Sequence, residues 1–318
     1  MKAIVLRAYG DTDCLTIEHR PVPEPAPGEI TINVAFAGVG FVDTLVRTGV
    51  FPFAQLPLTP GFEVSGIVRA IGEGVTAFSP GQHVAAMLTD FTSGGGMGGY
   101  AEVARAKAAL TITLQKYDDL ALAAATIVNG ATAFMAFEGL RKGAIVTVSG
   151  ASGGLGQCLI AAAAYAGAEQ IIAISGNAER APTLKRLGAT EIVSTDDFIA
   201  SNRLIDAAFD TVGGPIRLHM ARQMNVTGRL VLLGNVSGED VQLSGDDIWL
   251  RSLTIEGITT GSLSALMPDR VAAAAQGATA NARTRPTAFT IVDLDQAGDA
   301  HRMIEDRRGP GKVVLRIS

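Results

Sequence analysis

Apolar and polar side chains alternate through residues 30–35, the period of a half-buried strand. Pro21, Pro23, Pro25 and Pro27 stiffen the approach to it and forbid a helix there. Further strand-like runs at 64–71 and 82–87 are punctuated by Gly72, Gly74, Pro80 and Gly81, which predicts a compact β-rich module. The texture changes near residue 118. The alanine-rich stretch Leu120–Ala136 reads as a helix, and from Ala144 strands and helices alternate. Strands are expected at 145–149, 171–175, 191–194, 207–212 and 230–233, with helices at 155–166 and 179–187. Such alternation implies a parallel sheet with helices on both faces. The chain ends on a strand at 287–292, a helix at 296–307 and a closing strand at 312–317. The pattern therefore divides into 1–118, 119–260 and 261–318.

Composition narrows the class. The 318 residues are 47% hydrophobic, enough for two cores. A net charge of −5 implies no broad basic face, so nucleic acid is not expected as a partner. The two cysteines, Cys14 and Cys158, are too few for a disulfide framework or a cysteine-rich zinc lobe. The N-terminal apolar run is too short for a signal peptide, and the apolar run 158–168 falls short of the ~20 residues that span a bilayer. A cytoplasmic protein without a membrane partner is expected.

Residues 146–156 carry the clearest chemistry: Val-Thr-Val-Ser-Gly-Ala-Ser-Gly-Gly-Leu-Gly. A buried strand enters a glycine-rich turn and a helix follows at once. Gly150 and Gly153 permit a tight turn and close approach to a pyrophosphate, held by backbone groups of Ser152, Gly153, Gly154 and Leu155. Gly156 lets the helix lie close to the strand. A purely structural strand-to-helix turn is the alternative. The next strand ends in Ser175, Gly176 and Asn177, with Arg180 beyond. No carboxylate stands where one would bind a ribose 2′-OH, since Glu179 is expected inside the following helix. Small polar groups with a cation suit a 2′-phosphate, hence NADPH over NADH. Arg180 as a solvated surface charge is the other reading.

With these residues in view, six further segments resemble the medium-chain dehydrogenase/reductase superfamily. They are 38–43 (Gly-Val-Gly-Phe-Val-Asp), 60–66 (Pro-Gly-Phe-Glu-Val-Ser-Gly), 99–102 (Gly-Tyr-Ala-Glu), 210–214 (Asp-Thr-Val-Gly-Gly), 228–231 (Gly-Arg-Leu-Val) and 311–315 (Gly-Lys-Val-Val-Leu). The resemblance spans nearly the whole chain and is to the zinc-free, zeta-crystallin-like quinone oxidoreductase branch. It implies an α/β fold: a GroES-like β-rich catalytic domain over 1–118, a doubly wound (Rossmann) NADPH-binding domain over 119–260, and a return over 261–318 that completes the first. Gly234, Asn235, Val236, Ile258 and Thr259 would flank the nicotinamide half.

Zinc-dependent relatives have Cys where this chain has Gly40 and His where it has Phe62; Glu63 alone remains, so no metal is expected. His19, His83, His219 and His301 are scattered, without ligand spacing, and are expected to be structural or exposed. Lacking a Lewis acid, the branch reduces acceptors that already spread negative charge over a conjugated carbonyl. The function implied is hydride transfer from NADPH to quinones or α,β-unsaturated carbonyl compounds, by a homodimer. Bacterial quinone oxidoreductases carry tyrosines where this chain has Leu45 and Phe51. The substrate pocket is therefore expected to be apolar, lined by Phe41, Leu45, Phe51 and Trp249, or these are ordinary core. Asn129 and Asp43 are the candidate polar groups for catalysis. Asn129 is placed at the start of a helical stretch, where it would bond a developing oxyanion; a helix-terminus Asn and a structural Asp are the alternatives. The glycine run 94–99 reads as a surface turn or as a flap. Two other functions stay open: an NADPH-binding structural or interaction protein with little turnover, and a zinc-independent alcohol dehydrogenase.

Overall fold

The computed structural model describes residues 1–51, 55–89, 96–281, 286, 288–307 and 311–318. The chain divides into two compact units, the first comprising 1–131, 260–280 and 289–318, the second 132–259 with the described part of 281–288.

The first unit opens with β1 (Lys2–Leu6) and β2 (Leu15–His19), an antiparallel pair. Then come β3 (Glu29–Val39), α1 (Phe41–Thr48), β4 (Glu63–Ile71), β5 (His83–Met87), β6 (Val103–Lys107), β7 (Thr111–Thr113) and α2 (Leu120–Ala136). β3 runs past the expected 30–35 because it is central. It pairs with β4 on one side, while its other side is shared by β6 and the closing strand of the chain. Centrality also explains why Thr31, on the nominally polar face, is buried. Ile30, Ile32 and Val34 pack with Val64, Val68 and Val84 in the main apolar cluster of the unit.

In the second unit β8 (Ile145–Val148), α3 (Gly154–Ala166), β9 (Gln170–Ile174), α4 (Ala181–Leu187), β10 (Glu191–Val193), α5 (Thr195–Ala200), β11 (Ile205–Asp210), α6 (Pro215–Arg222), β12 (Met224–Leu232), α7 (Gly245–Trp249) and β13 (Thr254–Gly257) follow in turn. Among the described residues six strands form one parallel sheet in the order β10-β9-β8-β11-β12-β13. Counted within the unit this is 3-2-1-4-5-6, the doubly wound order, whose direction reverses between β8 and β11. β13 carries too few apolar residues to stand out in the sequence. The helix expected from 179 begins at Ala181. Residues 178–180 form a tighter 3-10 turn, because Asn177 Oδ1 accepts the N–H of Glu179 at 2.9 Å and Pro182 sits in the first turn of α4.

The chain returns to the first unit through α8 (Thr260–Leu266), α9 (Pro268–Ala280), β14 (Phe289–Asp293), α10 (Ala297–Glu305) and β15 (Lys312–Arg316). Residue 287, expected to open the first of these strands, lies outside the described residues. Among the described residues β14, β15, β3, β4, β5, β6 and β7 make one seven-stranded sheet. The first boundary moves from 118 to 131 because the early part of α2 belongs with this sheet. Ala124 and Ala125 pack on Val314 of β15, and Ser65 Oγ donates to Leu120 O at 2.6 Å. No helix among the described residues is long and apolar enough to cross a membrane.

Candidate functional site

In the second unit the glycine turn leaves the carboxyl end of β8 beside the point where strand order reverses. Gly150 has φ +60°, and a Cβ there would stand 2.4 Å from Thr211 Oγ1. At Gly156 a Cβ would be 2.2 Å from Gly150 O, so α3 begins closer to the turn than any other residue allows. No side chain caps α3; Ser152, Gly153, Gly154 and Leu155 keep accessible surface. Uncapped N–H groups at a helix start favour an anion.

Polar side chains below the turn hold it rigid. Ser149 Oγ donates to Asp210 Oδ1 at 2.6 Å and accepts Thr211 N–H at 2.9 Å. Asp210, fully buried, also accepts the N–H groups of Val212 and Gly213 and pairs with Arg217 Nε at 2.7 Å. Arg217 reaches on to Gly234 O at 2.7 Å. The ends of β8, β11 and β12 are thereby tied together, a network the sequence reading did not anticipate. Gly234, Asn235 and Val236 follow β12, with Asn235 Oδ1 filling the space where a Cβ on Gly213 would lie. Ile258 N–H bonds Leu232 O at 3.1 Å, which brings Ile258 and Thr259 to the same sheet edge.

Ser175, Gly176 and Asn177 form the turn after β9. Ala151 N–H donates to Ile174 O at 3.1 Å, joining this turn to the glycine turn, and Ser175 Oγ accepts Asn177 N–H at 3.2 Å. Open space lies beside Gly176. Arg180 closes the 3-10 turn, its N–H bonded to Asn177 O at 3.2 Å, and Glu179 is exposed.

In the first unit a second polar cluster is sealed from solvent. Asp43, in the first turn of α1, accepts Gly40 N–H at 2.8 Å and Gly61 N–H at 3.0 Å. Burial pushes its pKa up to about 7, against the opposing pull of the Gly40 N–H and the Lys312 ammonium. Tyr100 bonds Asp43, and its hydroxyl lies 3.3 Å from His301 Nε2. Gly61 has φ +102°, and a Cβ there would strike the Tyr100 ring at 2.6 Å. His301 is buried, and desolvation followed by the charge of Arg47 drives its pKa down to about 3, so the ring is neutral. Glu63 forms a buried ion pair with Lys312, and its Oε2 accepts Val128 N–H at 3.1 Å. A Cβ at Gly38 would collide with the Glu63 carboxyl.

The substrate-pocket residues part company. Phe41 and Leu45 are half-buried on α1. Phe51 packs edge-on to buried Phe62, with ring centroids 6.3 Å apart, and lines an open groove of about 860 Å³ with Leu58 and Met97. Trp249 corrects the expectation of a pocket wall: it is 67% exposed on α7, its indole N–H satisfied by Asp246 at 2.8 Å. Asn129 is also corrected, for it sits mid-way along α2 and not at a helix start, the preceding alanines having carried the helix from Leu120. Of the glycine run, 94 and 95 lie outside the described residues; Met97 and Gly99 are tied by N–H bonds to Leu88 O and Gly61 O.

Position 40 offers no ligand atom, position 62 offers an apolar ring, and Glu63 is engaged by Lys312, so these residues do not fit a zinc ion. Among the described residues no group of three or more His, Cys, Asp and Glu is placed to hold a metal.

A doubly wound sheet with an open glycine turn at its switch point, joined in one chain to a β-rich unit, defines a two-domain dehydrogenase or reductase. Family models agree: residues 26–116 match the alcohol dehydrogenase GroES-like domain and 154–276 the zinc-binding dehydrogenase domain. The chain is 30% identical to a probable quinone oxidoreductase of Schizosaccharomyces pombe, over 96% of this chain and 94% of that one. It is 28% identical to an acryloyl-coenzyme A reductase of Metallosphaera sedula, over 99% of each. A solved mycobacterial structure complexed with NADPH superposes with a TM-score of 0.87 at 26% identity, covering 100% of both chains. The chain belongs to the medium-chain dehydrogenase/reductase superfamily, in its quinone oxidoreductase branch, and is an oxidoreductase of that family.

Proposed function

We propose that this protein is a zinc-free, NADPH-dependent reductase of quinones or α,β-unsaturated carbonyl compounds, working in the cytoplasm as a homodimer. The observation that carries the reading is the open pair of turns at 150–155 and 175–180, joined by the Ala151–Ile174 bond, with Ser175, Gly176 and Asn177 directly after β9; Glu179, expected inside the next helix, stands instead in the exposed 3-10 turn five residues beyond the strand. Backbone groups from Ser152 to Leu155, at the start of α3 that no side chain caps, hold the pyrophosphate, the N–H of Gly153 being taken by Gly150 O at 3.0 Å. Ser175, Asn177 and Arg180 take the 2′-phosphate, whose charge a Glu or Asp directly after β9 would repel. Gly234, Asn235, Val236, Ile258 and Thr259 border the nicotinamide half. When bound, NADPH supplies the hydride.

On the acceptor side the chain supplies position and polarity, not a metal. Asn129 donates its amide N–H to the acceptor oxygen as negative charge grows there. Phe41, Leu45 and Phe51 offer apolar surface to a flat conjugated acceptor, and the proton comes from water. The acryloyl-coenzyme A reductase relative lends support to an activated alkene as acceptor. The test is NADPH oxidation against a panel of quinones and enones, with EDTA present and NADH in parallel. NADPH-selective, EDTA-insensitive turnover is expected. Cofactor binding with no turnover of any acceptor would favour a binding protein, and alcohol-dependent NADP⁺ reduction a dehydrogenase.

A further inference from the structure

α2 is buried along nearly its whole length. Its accessible positions are Leu120, Leu122, Val128, Asn129 and Phe134, and of these only Asn129 is polar. The backbone on either side of Asn129 is held by groups from outside the helix. On the following side, Gly130 is pressed so close to α9 that a Cβ would lie 2.7 Å from that of Ala278. On the preceding side, the N–H of Val128 is met at 3.1 Å by Glu63 Oε2. An N–H in a helix interior normally serves the carbonyl four residues earlier. Here a carboxylate, the stronger acceptor, also draws on it.

That carboxylate is itself fixed. Glu63 and Lys312 are 3% and 4% exposed and paired through Oε1, which leaves Oε2 for Val128. Gly38 lies so close to the Glu63 carboxyl that a Cβ there would stand 2.5 Å from Oε1, so the backbone of β3 closes one side of the carboxyl group.

We propose that Glu63 is a positioning residue for catalysis: held by Lys312, its carboxylate sets the α2 backbone at Val128 and so aims the side chain of Asn129. The inference rests on the reading of Asn129 as the donor to the acceptor oxygen. Fold stability alone would be served by any packing of similar volume, whereas aiming Asn129 needs an acceptor for the Val128 N–H.

Two double variants separate these roles. Glu63→Gln with Lys312→Met removes both charges and keeps a carbonyl for Val128. Glu63→Leu with Lys312→Met keeps the volume and removes the acceptor. Steady-state kinetics with NADPH and the best acceptor of the panel, in wild-type and Asn129→Ala backgrounds, give the readout. The Gln/Met pair should keep kcat within roughly 3-fold of wild type. The Leu/Met pair should lower kcat roughly 10-fold with KM for NADPH unchanged, and should have less than about a 2-fold effect once Asn129 is alanine. Should the Leu/Met pair not fold, Glu63→Met with Lys312→Met makes the same comparison. Wild-type kcat in the acceptor-less pair, or a full loss that adds to that of Asn129→Ala, would overturn the proposal while leaving the reading of Asn129 intact. An Asn129→Ala enzyme with undiminished kcat would instead remove that reading, and this inference with it.

Discussion

The two units use buried polar side chains to opposite ends. In the second, Asp210, Ser149 and Arg217 lie beneath the strand ends, bond one another and hold the backbone of residues 211–213 and 234, so that the turns above stay rigid and open. In the first, Asp43, Glu63, Lys312, Tyr100 and His301 bond one another and the N–H groups of Gly40, Gly61 and Val128, and are closed off from water. The open arrangement suits a large charged ligand that must enter and leave. The sealed one suits a framework whose charges are mutually compensated, at the cost that removal of any member strands its partner.

That asymmetry is most easily broken at Lys312. Lys312→Met leaves Glu63 buried and unpaired, and should cost about 3–5 kcal/mol in urea unfolding, with much of the loss restored by adding Glu63→Gln. Loss below about 1 kcal/mol for the single variant would mean that the cluster is far wetter than its geometry indicates. In the second unit the sharpest steric test is Gly156→Ala. Alanine raises helix propensity by about 1 kcal/mol, yet its Cβ meets Gly150 O, so a net loss of about 1–3 kcal/mol is expected from thermal melts. A gain in stability would refute the close approach of α3 to the turn.

How far the two units could be read in advance follows from the same contrast. The glycine turn was legible because its parts lie within a few residues: Gly150, Gly153 and Gly156 each answer a local steric demand. The β9 turn was legible for the same reason, although the Asn177 cap that converts residues 178–180 to a 3-10 turn was not foreseen. The acid cluster is assembled from positions 43, 63, 100, 301 and 312, which only the sheet order β15-β3-β4 and the packing of α10 bring together. Resemblance singled out Asp43 and Glu63, but nothing local to His301 or Lys312 announced a buried partner. Trp249 misled because a lone large aromatic reads as a pocket wall, when its own helix supplies the hydrogen bond that holds it at the surface.

Acid titration probes the sealed cluster further. Neutral His301 contributes stability in full above its ordinary pKa of 6.5, and that contribution is lost as pH falls towards about 3, since the unfolded ring takes up a proton first. Asp43 runs the other way. Its pKa is raised to about 7, so its contribution is greatest below its ordinary 3.8 and is lost as pH rises through about 7. His301→Gln removes the first effect and leaves the second. Its stability relative to wild type should therefore rise by about 2 kcal/mol between pH 6.5 and 4.5. Parallel curves for the two proteins would show that the His301 ring is not held neutral. For the open unit, Arg180→Ala should weaken NADPH roughly 10- to 30-fold by fluorescence titration while leaving NADH within about 2-fold. Equal loss for both cofactors would remove the 2′-phosphate assignment.

The central claim is hydride transfer from NADPH to a conjugated acceptor without a metal, and label transfer reads it directly. NADPH deuterated on both faces of nicotinamide C4 is incubated with the enzyme, an enone and EDTA, and the product is examined by mass spectrometry and NMR. One deuterium on the carbon β to the carbonyl is the predicted result. An unlabelled product, or reduction that stops when EDTA is added, would contradict the account.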